Sequence, residues 1–164
     1  MKLTLIQWLI QGIPECIAVV LLGFVLLESR MDIKRALIPG VIQALVLYFV
    51  RLFPLPFGIH TMVAIISLSV LLLCFTEGRY SKALLISFFV YLVLGLSELM
   101  ILPVASYLLK MPLDIIFSYL ATKPVLYALL GLPQVFMLIV LAVLVNLFNN
   151  KRKKQISVDS SGAN

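Results

Sequence analysis

The stretch LIQGIPECIAVVLL, residues 9–22, places a proline and a glutamate inside an apolar run of membrane-spanning character. A carboxylate is costly in the hydrocarbon core, and a proline removes one backbone hydrogen bond from a helix. Gln7, Gln11 and Glu15 recur every four residues and therefore form one polar stripe on a helix. Pro14 predicts a kink close to the turn of Gln11. Together these residues predict a first membrane helix whose polar face points toward other helices.

The composition of the whole chain is that of an integral membrane protein. Of its 164 residues, 63% are hydrophobic and 12% are charged, whereas soluble chains carry about 25% charged residues. At about 20 apolar residues per crossing, this length allows five or six spans and leaves no room for a separate soluble domain. A catalytic head would belong to another chain, so the sequence predicts an all-α membrane protein that is not an enzyme and needs no cofactor.

Charged residues and prolines divide the apolar sequence into five predicted spans within a single transmembrane domain over residues 1–150. The spans lie near 3–27, 37–53, 60–76, 83–102 and 124–149. A stretch near 111–123 begins with a proline and repeats polar residues at helical spacing, which predicts an interfacial amphipathic helix outside the membrane. A plain connector or a re-entrant segment is the alternative for this stretch.

Positive charge is concentrated on one side of the predicted topology. With five spans, nine cations fall on one side and four on the other. Four of the nine form a run that predicts a membrane-surface anchor on a basic and polar tail over 151–164. These are Lys151, Arg152, Lys153 and Lys154. The bias predicts an outside N-terminus and a cytoplasmic C-terminus, and it argues against nucleic acid as a partner. Residues 155–164 are expected to be disordered.

Further polar residues fall in the outer halves of the predicted spans. Arg51 and His60 flank the connection between the second and third spans. Glu98 lies near the end of the fourth span, and Gln134 lies about ten residues into the fifth. With the stripe of the first helix they predict a polar network or ligand pocket open to the exterior. The alternative is interhelical hydrogen bonding of about 0.6 kcal/mol per bond that only fixes the packing.

The cysteines and the histidine raise two other kinds of site, a metal site and a cysteine–histidine catalytic pair. Cys16 and Cys74 lie in apolar runs and are expected to be small buried hydrophobes. His60 is the only histidine, so a histidine metal site is excluded. Cys74 follows His60 by fourteen residues, about 20 Å along a helix, which excludes a catalytic pair within that span.

The second span carries a pair of small residues. Gly40 and Ala44 are four residues apart and flank the polar side chain of Gln43. Pairs of this spacing let two helix backbones approach closely, so they predict a tight contact between this span and a neighbour.

Four stretches carry a resemblance to known receptors. They resemble, in the same order, parts of the membrane-embedded input domains of accessory-gene-regulator-type bacterial sensor histidine kinases. The stretches are IPECIAVVLLGFVLLE, PLPFGIHTMVAIISL, SELMILP and LLGLPQVFML. The resemblance covers most of residues 1–150. It implies a multi-helix domain in the bacterial plasma membrane that recognises an extracellular signal. Only fourteen residues follow Asn150, so what it implies here is a sensor domain without the kinase core. The candidate contacts in these stretches are Glu15, His60, Glu98 and Gln134.

The sequence leaves three functions open. The first is a stand-alone sensory or ligand-binding domain that acts through a protein partner in the membrane or cytoplasm. The second is the substrate-binding membrane subunit of an importer similar to the energy-coupling-factor type. The third is a structural assembly partner. All three place the chain in a lipid bilayer with a protein partner, and a homo-oligomer is a further option.

Overall fold

The computed structural model describes residues 8–27, 33–53, 58–76, 79–109 and 124–161, and the regular elements in these ranges are all helices. Helix α1 covers Ile13–Leu26 and is preceded by a π-helical turn over Trp8–Gly12. The other helices are α2 over Ile33–Leu52, α3 over Ile59–Phe75, α4 over Tyr80–Leu109 and α5 over Pro124–Ser161. The predicted all-α class is confirmed for the part of the chain described.

Four helical segments are long and apolar enough to cross a membrane. They are Trp8–Leu26, Ile33–Leu52, Tyr80–Met100 and Gly131–Lys151. Helix α3 is equally apolar but has 17 residues, about 26 Å at 1.5 Å per residue, against a hydrocarbon core of about 30 Å. The chain is therefore a multi-pass membrane protein, as its composition predicts.

Helix α1 is the central helix of the bundle and contacts each of the other four. Half of its membrane-length segment is buried, against 28% or less in the other three such segments. Val20, Leu22 and Val25 are completely buried in the core around it. The other helices expose many large apolar side chains, which suits surfaces that meet lipid.

Helices α1 and α2 run antiparallel in close contact. The indole nitrogen Nε1 of Trp8 donates a hydrogen bond to the backbone carbonyl of Ala44 at 3.0 Å. Further along α1, Ile17 lies directly against Gly40, where an added Cβ atom would be 2.8 Å from the Ile17 Cα atom. The close approach predicted from Gly40 and Ala44 is confirmed.

Helix α3 runs parallel to α1. Glu15 and His60 line one cavity near the start of the two helices, and toward their ends Gly23 contacts Leu72. A Cβ atom on Gly23 would lie 3.0 Å from the Leu72 Cδ2 atom, so the two helices are also close here. Helix α3 thus accompanies α1 over most of its length.

Helix α5 also runs parallel to α1. Gly131 lies against the side chain of Gln11, and eighteen residues later the Asn149 amide donates a hydrogen bond to the Val25 carbonyl at 3.0 Å. The first, third and fifth helices therefore point one way along the bundle.

The ends of two helices differ from the sequence-based boundaries. The fourth span is predicted to end near 102, but α4 continues through Pro103 to Leu109, because one missing hydrogen bond is tolerable within a membrane helix. Disorder is predicted for 155–164, but α5 continues to Ser161. Lysine, arginine and glutamine are good helix formers, and the extension gives hydrogen-bond partners to carbonyls that would end the last span.

Two predictions fall on parts of the chain without a structural description. The interfacial helix near 111–123 lies outside the described residues. Gln7, the first member of the polar stripe, also lies outside them.

Candidate ligand-binding site

A cavity of about 170 Å³ lies between helices α1, α2, α3 and α4, toward one end of the bundle. Each of the four helices contributes one carboxyl, guanidinium or imidazole group to its wall. They are Glu15 from α1, Arg51 from α2, His60 from α3 and Glu98 from α4. The structure thus brings four of the seven predicted polar residues around one space.

The charged groups of this cavity lie at different depths. Arg51 and Glu98 are exposed and form its rim, whereas Glu15 and His60 are half-buried. Cys16 lies at the base and is 6% exposed. A molecule entering the cavity would therefore meet charged groups first and the thiol last.

Opposing electrostatic effects act on Glu15. The carboxylate of Glu98 repels it, and the guanidinium of Arg51 attracts it. When both carboxyl groups are ionised and His60 is neutral, two carboxylates against one guanidinium give the wall a formal charge of −1. The ring nitrogen Nδ1 of His60 is buried and has no hydrogen-bond partner among the described residues. The cavity wall therefore holds a buried ring nitrogen beside its two carboxyl groups.

The position of Glu15 depends on the helix turn before it. Pro14 cannot donate a backbone hydrogen bond, and its ring crowds the preceding turn. The chain accommodates this with the π-helical turn Trp8–Gly12, so the predicted disruption near Gln11 takes the form of a π turn. Such turns often occur at functional sites. The indole of Trp8 packs on Gly12, where an added Cβ atom would be 3.1 Å from it.

A second, smaller cavity of about 30 Å³ lies beside the first. Trp8, Gly12 and Tyr48 are in its wall, and Glu15 and Arg51 line both cavities. A volume of this size holds about two water molecules. The Glu15 and Arg51 side chains therefore lie where the two spaces adjoin.

Gln43 hydrogen-bonds two residues of the cavity wall without lining the cavity itself. Its sequence context does not reveal this role. It is completely buried, and its Nε2 donates to the Ala64 carbonyl at 3.1 Å and to the Tyr91 hydroxyl at 2.9 Å. Its Oε1 has no partner within the described part of the chain. Ala64 and Tyr91 are both in the cavity wall. The sequence shows an isolated glutamine in an apolar helix, which indicates a buried hydrogen bond. It does not show that the partner is Tyr91, 48 residues away.

Two of the predicted polar residues lie outside the cavity wall. Gln11 forms a side-chain hydrogen bond with Glu15 and also packs against Gly131 of α5. Gln134 is 3% exposed and its Nε2 donates to the Leu94 carbonyl at 3.4 Å. That carbonyl also accepts a hydrogen bond from the Ser97 hydroxyl at 2.6 Å. These contacts join α5 to α1 and α4 and have the character of packing interactions.

The two cysteines differ in environment. Cys16 is buried as predicted, but Cys74 is exposed. Cys74 lies near the end of α3, and a thiol is apolar enough to face lipid. No group of three or more His, Cys, Asp or Glu residues suited to a metal ion occurs in the described ranges.

No protein family, no curated protein and no solved structure matches this chain. The class defined by the helices and the cavity is a multi-pass helical membrane protein with a charged cavity toward one end of its bundle.

Proposed function

We propose that this chain is a sensory membrane domain that binds a small ligand in the 170 Å³ cavity and acts through a partner protein. The observation that supports this function is the meeting of two carboxyl groups, a guanidinium and an imidazole, from four helices, at one space in an apolar bundle. Uncharged polar side chains are sufficient to join helices, as the interhelical hydrogen bonds of Gln43 and Gln134 show in this chain. Ionisable residues within membrane segments are costly and usually functional.

We further propose that the cavity opens to the exterior of a bacterial plasma membrane. Five cations lie away from the cavity, at the starts of α2 and α4 and at the end of the last apolar segment. They are Lys34, Arg35, Arg79, Lys82 and Lys151. An excess of cations favours the cytoplasmic side, which leaves the cavity outside. In this arrangement α3 is a fifth crossing, since it accompanies α1 from the cavity to Leu72.

The signal would pass through a change in how the helices pack. A ligand can shift the population of two helix arrangements only if it binds one more tightly than the other. A ligand held between Glu15, His60 and Glu98 would contact three helices at once, so its affinity depends on their spacing. The π turn before Pro14 is the proposed movable element, and the basic end of α5 is the proposed partner contact. The receptor resemblance of the sequence agrees with this role.

The experiment is a thermal-unfolding screen of the detergent-purified full chain against small-molecule fractions of bacterial culture medium. We expect one fraction to raise the Tm of the wild type, because a ligand at 100 times its Kd adds about 2.7 kcal/mol of stability. Glu15→Gln and Glu98→Gln should fold but lose this stabilisation. Ser87→Ala is the matched control, since Ser87 is buried and bonds only its own helix, at the Ala83 carbonyl.

Two results would contradict this function. One is that no fraction stabilises the wild type, and the other is that the glutamine variants respond as the wild type does. Affinity purification of the chain distinguishes the sensor from the importer subunit: a signalling partner supports the first, and ATP-binding subunits support the second.

A further inference from the structure

We propose that the ligand contacts this cavity through a primary ammonium group. This inference rests on the proposed function, because it names the chemistry of the ligand at the same site. An ammonium group occurs on small amines, on amino acids and at the N-terminus or a lysine of a peptide. The shared chemistry is a compact cation with three N–H donors.

The first argument is the sign of the charge. Glu15 and Glu98 face one cavity that holds a single guanidinium, that of Arg51. Arg51 attracts Glu15, whereas Glu98 repels it. A cation bound near Glu98 would therefore reduce the repulsion between the two carboxylates. An added anion would face two carboxylates. The cavity therefore favours a cation.

The second argument is the type of hydrogen-bonding group. The carboxylates only accept hydrogen bonds when they are ionised, and a neutral His60 with its proton on Nε2 accepts at Nδ1. That Nδ1 is buried without a partner in the described part of the chain. Glu15, Glu98 and His60 thus supply three acceptors from three helices for three N–H donors. A quaternary ammonium has no N–H donor and would leave His60 unsatisfied.

The third argument is size and the character of the base. An apolar cavity of about 150 Å³ in another protein binds benzene, so about 170 Å³ accepts a short alkyl chain behind the ammonium group. The base is formed by Cys16, Val19 and Leu94, which are apolar and largely buried. Gly95 adds open space, since no atom lies within 4 Å of a Cβ placed there.

The experiment measures the Tm of the purified full chain with matched three-carbon probes at constant pH and ionic strength. The probes are propylammonium, propionate and 1-propanol, with tetramethylammonium as the cation without N–H donors. We expect propylammonium alone to stabilise, by about 3 to 6 °C at ten times its Kd. Glu98→Gln should lose this shift and Ser87→Ala should keep it.

A second variant tests the same site independently, in case Glu98→Gln fails to fold. Gly95→Leu adds no charge and places a side chain in the open space beside the cavity. It should remain folded and lose the propylammonium shift. Alanine amide, which mimics a peptide N-terminus, and free alanine then separate the sources: a shift with the amide alone indicates a peptide, and shifts with both indicate an amino acid.

The outcomes separate this inference from the function on which it rests. A shift with propionate or with tetramethylammonium equal to that with propylammonium overturns the ammonium assignment. A culture fraction that stabilises the wild type while propylammonium does not overturns the assignment and leaves the sensory function intact. Failure of every probe and every fraction overturns both.

Discussion

Two glycines on neighbouring helices have opposite surroundings. A Cβ atom on Gly40 would lie 2.7 Å from Ile17 Cγ1 and 2.8 Å from Ile17 Cα, and the latter backbone atom cannot move independently. Gly95 has open space in the same position. The first glycine permits a helix contact, and the second contributes volume beside the cavity.

Gly40→Ala should therefore lower the free energy of unfolding by about 1 to 3 kcal/mol through overpacking. Gly95→Ala is the matched control, with the same chemical change but no neighbour to displace. Thermal unfolding of both variants beside the wild type tests this pair. Equal stability of the two variants would show that α1 and α2 are not in backbone contact at Gly40.

The residues of the cavity were predictable to different degrees. Arg51, His60 and Glu98 could be assigned to the same depth in the membrane. Successive spans run in opposite directions, so the position of a residue within its span gives its depth. The contributions of Cys16 and Tyr91 were not predictable, since they depend on the rotation of each helix about its axis. Periodicity does not fix that rotation in helices that are apolar on all sides.

At the scale of the element, Trp8 attaches the start of the first span to α2. The Trp8 ring lies 5.1 Å from the Tyr48 ring, centroid to centroid, and its N–H bonds the Ala44 carbonyl. This contact fixes the π turn against α2. The turn is thereby part of the wall of the smaller cavity.

Trp8→Phe should cost about 0.5 to 1.5 kcal/mol of stability, because it removes the N–H donor while keeping an aromatic ring. Tyr48→Phe keeps the same ring pair and should cost less. Chemical denaturation in detergent compares the two. A smaller loss for Trp8→Phe than for Tyr48→Phe would mean that the hydrogen bond does not hold the turn.

Helix existence was predictable from hydropathy, whereas helix ends were less so. Pro103 and the basic run from Lys151 both resemble stop signals, yet α4 and α5 continue past them. A proline removes only one backbone bond, and a charged segment of good helix formers continues a helix that packing has already established.

At the scale of the whole molecule, the number of crossings determines on which side each connection lies. A reporter that is active only in the cytoplasm, inserted at residues 77–78, should be active if α3 crosses the membrane and the N-terminus is outside. A reporter at the C-terminus should also be active, and one at residues 54–57 should be inactive. The same result at 54–57 and at 77–78, whether both reporters are active or both are inactive, would show that α3 does not cross.

The central place of α1 has a consequence for biosynthesis. Among the five described helices the ribosome makes this one first, and Glu98, which faces Glu15 across the cavity, is made 83 residues after Glu15 (98 minus 15). At about 5 to 20 residues per second, this interval is about 4 to 17 s. During that time the helix that will become the centre of the bundle waits in the translocon or the bilayer with its carboxyl group unshielded by α4. The order of synthesis therefore makes the assembly of this bundle a late event, in which the helices made last enclose the one made first.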